Sequence, residues 1–181
     1  MQNEQEIVQR AQKGDRDALA RLYELNFDKI YRYIIARVYD RQEAEDMTQQ
    51  VFVKAFESIT AFRWRGTPFT AWLFRIARNL IIDNVRKKKK INTVSLEEVV
   101  LTSNSDPQRE VENKFDIERV NRATKKLTDA QREVISLRFA GGLAIAEVAK
   151  VMGKSQGAVK ALQHSAIVAL RKVLLAGESN G

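Results

Sequence analysis

The sequence predicts an all-α fold made of two small helical domains joined by a flexible linker, the second domain containing a helix-turn-helix. Three observations predict it. Apolar residues step by three and four along nearly every segment, helix-opening and helix-closing residues stand at the ends of those segments, and no stretch alternates convincingly as a strand.

From the amino end, Ile7 to Lys13 reads as a short helix stopped at Gly14. Asp15 caps the next, whose apolar positions Leu19, Leu22, Tyr23, Phe27, Ile30, Tyr31, Ile34 and Val38 form one stripe. Asp40, with Glu43 three residues on, opens a third through Ala44, Met47, Val51, Ala55 and Ile59. Thr67-Pro68 places a cap before a proline at the first helical position. That helix continues through Trp72, Leu73, Ile76, Ala77, Leu80 and Ile81 into a lysine run. Residues 1–90 therefore read as the first domain. Residues 91–108 carry no sustained stripe and end in Ser103-Asn104-Ser105-Asp106-Pro107, the composition of a linker.

Helical patterning returns near Arg109 and defines a second domain over 109–181. Thr128-Asp129-Ala130-Gln131 is a capping box that enters a helix through Val134, Ile135 and Leu137, halted by Gly141-Gly142. A second helix spans Ala144 to Met152 and ends at Gly153. Ser155 caps a third, Gln156 to about Leu175. Two helices joined by a glycine turn make a helix-turn-helix, whose later helix meets base edges with its leading residues. Ser155, Gln156, Lys160, Gln163 and His164 are the candidate readers.

Composition narrows the chemistry. A chain of 181 residues that is 44% hydrophobic has enough apolar mass for a real core. The absence of cysteine excludes a disulfide scaffold and thiolate metal sites and fits a reducing, cytoplasmic setting. A single histidine, His164, argues against a zinc enzyme or a histidine-based triad. No apolar run approaches the ~18 residues that span a bilayer, and Met1 to Glu6 lacks the basic start and apolar stretch of a signal peptide. The expectation is a protein that is not an enzyme, with no catalytic residue, cofactor or metal and no membrane insertion.

Charge and aromatics converge on one place. Residues 61–90 carry nine basic side chains against Asp83 alone, which accounts for the net +8 of the whole chain. Such a concentration suits a polyanion, nucleic acid first. Seven of the 14 aromatics lie between Phe52 and Phe74. Trp72 shares the helical stripe of Phe69, but Trp64 lies in Phe62-Arg63-Trp64-Arg65-Gly66, where aromatic and arginine alternate on a loop. Rings stack on unpaired bases while guanidinium groups hold phosphates.

Taken together, these pieces resemble the bacterial RNA polymerase sigma factors of the extracytoplasmic-function (ECF) group of the sigma-70 family. The carriers are Asp46 to Phe56 (DMTQQVFVKAF), Phe69 to Asp83 (FTAWLFRIARNLIID), Leu127 to Arg138 and Gly157-Ala158-Val159-Lys160. The resemblance implies a sigma-2-like first domain and a sigma-4-like second domain. It implies that Asp46, Gln49, Gln50 and Phe52 meet the beta-prime clamp helices of core RNA polymerase, with Gln50 standing where the family more often has glutamate. Phe62, Arg63, Trp64 and Arg65, with Arg75, Arg78, Asn79, Asp83 and Arg86 on the following helix, would recognise and melt the −10 element of promoter DNA. The second domain would read the −35 element and bind the beta flap, although its reading helix has Ala161, Leu162, Ser165 and Ile167 where many members carry arginine. An anti-sigma factor is a further implied partner. The linker, about 17 residues long and able to reach roughly 55–60 Å, exceeds the roughly 34–36 Å of one DNA turn.

Other readings predict different features. A stand-alone helix-turn-helix regulator with a dimerising or sensing first domain leaves the aromatic-arginine loop unexplained. An RNA-binding adapter would also use a stacking loop. Enzyme chemistry would need Glu43 with Asp46, or Glu97 with Glu98, as carboxylate pairs, but the sequence supplies neither histidine ligands nor a glycine-rich phosphate loop beside them.

Overall fold

The computed structural model describes residues 3–92 and 111–178. Among the described residues every regular element is helical. The helices are α1 (Glu4–Gln12), α2 (Arg16–Val38), α3 (Arg41–Glu57), α4 (Phe69–Asn92), α5 (Val111–Lys125), α6 (Asp129–Ile135), α7 (Ile145–Met152) and α8 (Gln156–Glu178). A short 3-10 turn at Ile59–Ala61 follows α3, and a five-residue π-turn at Ser136–Ala140 prolongs α6.

The caps predicted at Asp15, Asp40 and Thr128 form, whereas the cap predicted at Thr67 falls one residue short of α4, which starts at Phe69. Asp15 Oδ1 accepts from the Asp17 and Ala18 amides, and Asp40 Oδ1 accepts from Glu43 N at 2.8 Å. Thr128 and Gln131 exchange both bonds of the capping box, at 3.1 and 3.2 Å. Each acceptor satisfies an amide that the first helical turn leaves without a partner. Gly153, at φ +64°, closes α7 in the left-handed conformation that a Cβ would strain. Tyr39 adopts the same conformation, at φ +61°, at the end of α2. A non-glycine residue there carries strain that its surroundings must offset, and its hydroxyl is held 3.0 Å from Thr124 Oγ1.

Boundaries differ modestly from expectation. The first turn of α4 is closed by Trp72 N–H donating to the Pro68 carbonyl, so the helix begins one residue after the proline. Its far end runs through Ile91 and Asn92, the first two residues of the expected linker. The rest of that linker, up to 108, lies outside the described residues. α8 continues three residues past Leu175.

Helices α1–α4 wrap a core of Val8, Leu22, Ile30, Tyr33, Ile34, Val51, Phe69, Leu73, Phe74 and Ile81, while α6–α8 enclose Val134, Val148, Val159 and Ala166. The bundles do not stay apart. Leu137 and Leu143 belong to the same continuous cluster as the first bundle's residues. Burying one such side chain is worth ~1.5–3 kcal/mol, so the seam is an apolar contact, not an incidental touch.

Candidate nucleic-acid interface

The loop between the 3-10 turn and α4 is built on a buried ring. Phe62 is 5% exposed and packs edge-on to Phe69 at 5.4 Å, with Trp72 and Trp64 each at 5.2 Å. Gln12 anchors the loop from the other side, its Nε2 donating to the Ile59 and Phe62 carbonyls at 2.9 and 3.0 Å. Arg63 turns back on its own backbone and donates to the carbonyls of Thr60 and Phe62. Turned outward with it are Trp64, 36% exposed, and Arg65; Arg63 itself stays exposed despite these bonds. The expectation that Phe62 holds a base is therefore corrected: a ring sealed among three others has no free face to offer. It is the footing on which Trp64 stands.

Helix α4 buries Phe69, Leu73, Phe74, Ala77 and Ile81 and turns Arg75, Arg78, Asn79, Asp83 and Arg86 the other way, because residues three and four apart share a face. Asn79, Asp83 and Arg86 are exposed. Arg75 bonds the Lys150 carbonyl through Nε and Nη2 at 3.2 and 2.8 Å. Arg78 lies 3.6 Å from the Glu133 carboxylate. Asn84 and Lys88, further along, both hold Glu43, at 2.6 and 2.7 Å.

On α3, Asp46, Gln49 and Gln50 are exposed along one edge. Gln42 donates to Asp46 at 3.2 Å and Gln49 to the Tyr23 hydroxyl at 3.1 Å. Phe52 does not join them. It is 2% exposed and packs against Tyr23, Phe27 and Phe56, with ring centroids 4.7–6.3 Å apart. Its expected place on a polymerase-facing strip is corrected to core packing. The apolar residue that does extend this edge is Val53, 55% exposed, and its spacing of three and four from Gln50 and Gln49 was the available signal.

At the start of α8, Gln156, Lys160 and His164 are exposed on one face. The Ser155 hydroxyl is used as a cap, accepting from Ala158 N at 3.1 Å. Gln163 is half-buried, its Oε1 enclosed without a hydrogen-bond partner among the described residues. The outward face at the start of α8 thus centres on Gln156, Lys160 and His164.

Sequence reasoning missed a polar cluster at the seam. Glu133 of α6 accepts from the Tyr33 hydroxyl at 2.6 Å and pairs with Arg37 at 2.7 Å, its side chain only 7% exposed. Burial, then the neighbouring Glu133 charge and its hydrogen bond, push the Tyr33 phenol well above its ordinary range, so it stays a neutral donor. The signal was Glu133 itself, an acid on the stripe of Ala130, Val134 and Leu137 that otherwise faces the core. Among the described residues no group of three or more histidine or acidic side chains could hold a metal, and no helix is long and apolar enough to cross a membrane.

A helical module with an outward aromatic-arginine loop and basic helix, followed by a helix-turn-helix, defines a two-part DNA-binding protein. Comparison with known proteins gives the family. The Sigma-70 region 2 model matches residues 22–91, and the Sigma-70, region 4 model matches residues 123–172. The ECF RNA polymerase sigma factor SigW of Bacillus subtilis is 30% identical over 177 residues, covering 92% of this chain and 94% of SigW. The ECF RNA polymerase sigma factor BldN of Streptomyces coelicolor is 38% identical over 171 residues, covering 93% of this chain. The match spans 65% of BldN, just under two thirds of its length. Among solved structures, CnrH in complex with the cytosolic domain of CnrY aligns with TM-score 0.74 at 25% identity, covering 94% of this chain and 96% of CnrH. The chain belongs to the ECF RNA polymerase sigma factors of the sigma-70 family.

Proposed function

We propose that this chain binds core RNA polymerase in the cytoplasm and directs promoter-specific initiation, its first bundle opening the −10 element and its second reading the −35 element. Asp46, Gln49, Gln50 and Val53 form the edge offered to the clamp helices of the beta-prime subunit, and the second bundle meets the beta flap. Trp64 stacks on an extruded base while Arg65 and the outward residues of α4 hold the strand. Extruding a base costs a few kcal/mol and stacking returns ~1–3 kcal/mol per base. A few captured bases therefore keep a bubble open without covalent chemistry, which belongs to the polymerase. Gln156, Lys160 and His164 read the upstream box.

The observation that carries this reading is Trp64, held outward on a buried Phe62 footing beside an arginine and the basic face of α4. A protein partner of the anti-sigma kind is part of it, supported by CnrH having been solved in complex with the cytosolic domain of CnrY. The test is run-off transcription with core enzyme on a randomised promoter library. Site-specific initiation dependent on this chain is expected. No association with core and no defined start site would overturn the assignment.

A further inference from the structure

Helix α1 carries none of the residues so far given a part in DNA or polymerase contact, yet it touches both ends of the loop that bears Trp64. At its carboxyl end the Gln12 side-chain amide donates to the Ile59 carbonyl at 2.9 Å and to the Phe62 carbonyl at 3.0 Å, one N–H for each. These carbonyls flank the point where the chain leaves the 3-10 turn and enters the loop. At its amino end, Glu4 Oε1 lies 3.1 Å from the Thr70 hydroxyl, in the first turn of α4, where the chain leaves the loop. The same hydroxyl is 3.2 Å from Oδ1 of Asn26, a buried residue whose Nδ2 donates to the Leu22 carbonyl at 2.9 Å. Glu4 and Gln12 open and close α1, about 12 Å apart along its axis.

The helix that makes these bonds is itself fixed. Asn3 caps it, and Ile7, Val8 and Ala11 are buried. Arg10 reaches across the Gly14 turn to Asp15, the cap of α2, at 2.7 Å. The loop, by contrast, has little of its own to hold it. Among the described residues one backbone bond lies wholly within 62–68, from Arg65 N–H to the Arg63 carbonyl, and Gly66 turns at φ +69°. A segment that is not already ordered must lose its conformational freedom at the moment it binds, which weakens capture. A stacking ring helps only where the base arrives. Phe62 is where backbone and ring are fixed together: its carbonyl accepts from Gln12 and Arg63 while its ring supports Trp64 at 5.2 Å.

We propose that α1 is the splint of the strand-capturing loop: Gln12 and Glu4 are positioning residues that fix its entry and its exit, and so hold Trp64 where an extruded base can stack. This rests on the proposed reading of Trp64 as the stacking ring. It gives the first helix a part in promoter opening although it offers DNA no surface of its own.

The experiment uses the full chain with core polymerase on a promoter recovered from the run-off selection. Permanganate reactivity reads strand opening, and mobility shift reads closed-complex formation. Gln12→Glu keeps the size of the side chain but replaces its donor by an acceptor. Gln12→Lys keeps a donor on a long chain, since an ammonium has three N–H groups. Glu4→Ala removes the contact at the exit. Opening should fall roughly tenfold for Gln12→Glu and a few fold for Glu4→Ala, as expected for hydrogen bonds lost from part-buried groups. Closed complexes should form as with the parent, and Gln12→Lys should retain most of the opening. The decisive arm is a double-mutant cycle. If Gln12 acts through the ring, adding Gln12→Glu to Trp64→Ala costs no further opening, whereas a general weakening of the bundle adds to it. Glu4→Ala, at a half-buried position, carries the same cycle if Gln12→Glu does not fold. Undiminished opening by these variants, or a loss that adds to that of Trp64→Ala, overturns the splint. A parent chain that opens no promoter with core enzyme overturns instead the sigma-factor reading beneath it.

Discussion

Replacing Phe62 by alanine removes a ring that is 5% exposed and sits among Trp64, Phe69 and Trp72 at 5.2–5.4 Å. A buried phenylalanine cut to alanine loses its transfer free energy and leaves a cavity, together about 3–5 kcal/mol. For a chain of this size each kcal/mol moves the midpoint of thermal unfolding by about 2–4 °C, so a fall of roughly 6–20 °C is expected if the packed bundles unfold together. Trp64→Ala is the internal control: the residue is one third exposed and has a single ring neighbour among the described residues, Phe62. Its midpoint should fall much less. Thermal melts followed by circular dichroism at 222 nm read both. If Phe62→Ala melts within about 2 °C of the parent while strand opening is abolished, Phe62 touches DNA directly and the reasoning from burial fails.

Three further outcomes follow from other parts of the molecule. Trp64→Ala combined with Arg65→Ala should impair bubble opening, read by permanganate footprinting with core polymerase, far more than closed-complex formation; equal losses would remove the stacking role. Lys160→Ala with His164→Ala should relax selectivity at the upstream box alone in a promoter-library selection, whereas unchanged selectivity there would strike both from the readers. Asp15 is held below its ordinary carboxylate value of 3.8, first by the Arg10 hydrogen bond and then by the Ala18 amide. A depressed folded value means that the charged form adds stability above about 3.8, lost as pH falls through the lower folded value. Asp15→Asn keeps a capping acceptor without the charge, so the parent should melt higher at neutral pH and the gap should close in acid. A gap independent of pH would contradict this.

Much of the architecture was legible because it is local. Caps, glycine stops and three-four stripes act within a few residues, so Asp15, Asp40, Thr128 and Gly153 mark helix ends in the sequence as they do in the fold. The same holds for the helix-turn-helix and for the concentration of arginine around Trp64. Locality also explains the errors. Phe62 and Trp64 stand two apart in one irregular loop, and nothing in their spacing tells which ring goes inward. That was decided by Phe69 and Trp72 arriving from α4 and by Gln12, some fifty residues back, seizing the loop carbonyls. Phe52 went inward rather than to the expected strip for a similar reason, since the ring's destination depends on where Tyr23 and Phe27 of α2 lie.

What the sequence determined by itself was the helical class, the order of helices and the kind of surface each segment could offer, because those depend on neighbours a turn away. What the tertiary structure decided was the seam. Glu133 meets Arg37 and Tyr33 across 96 and 100 residues of chain, and Gly141 meets Phe74 across about two thirds of that gap. A lone acid on an apolar stripe becomes intelligible only when the arginines that neutralise it are brought to it, and that meeting is a property of packing, not of periodicity.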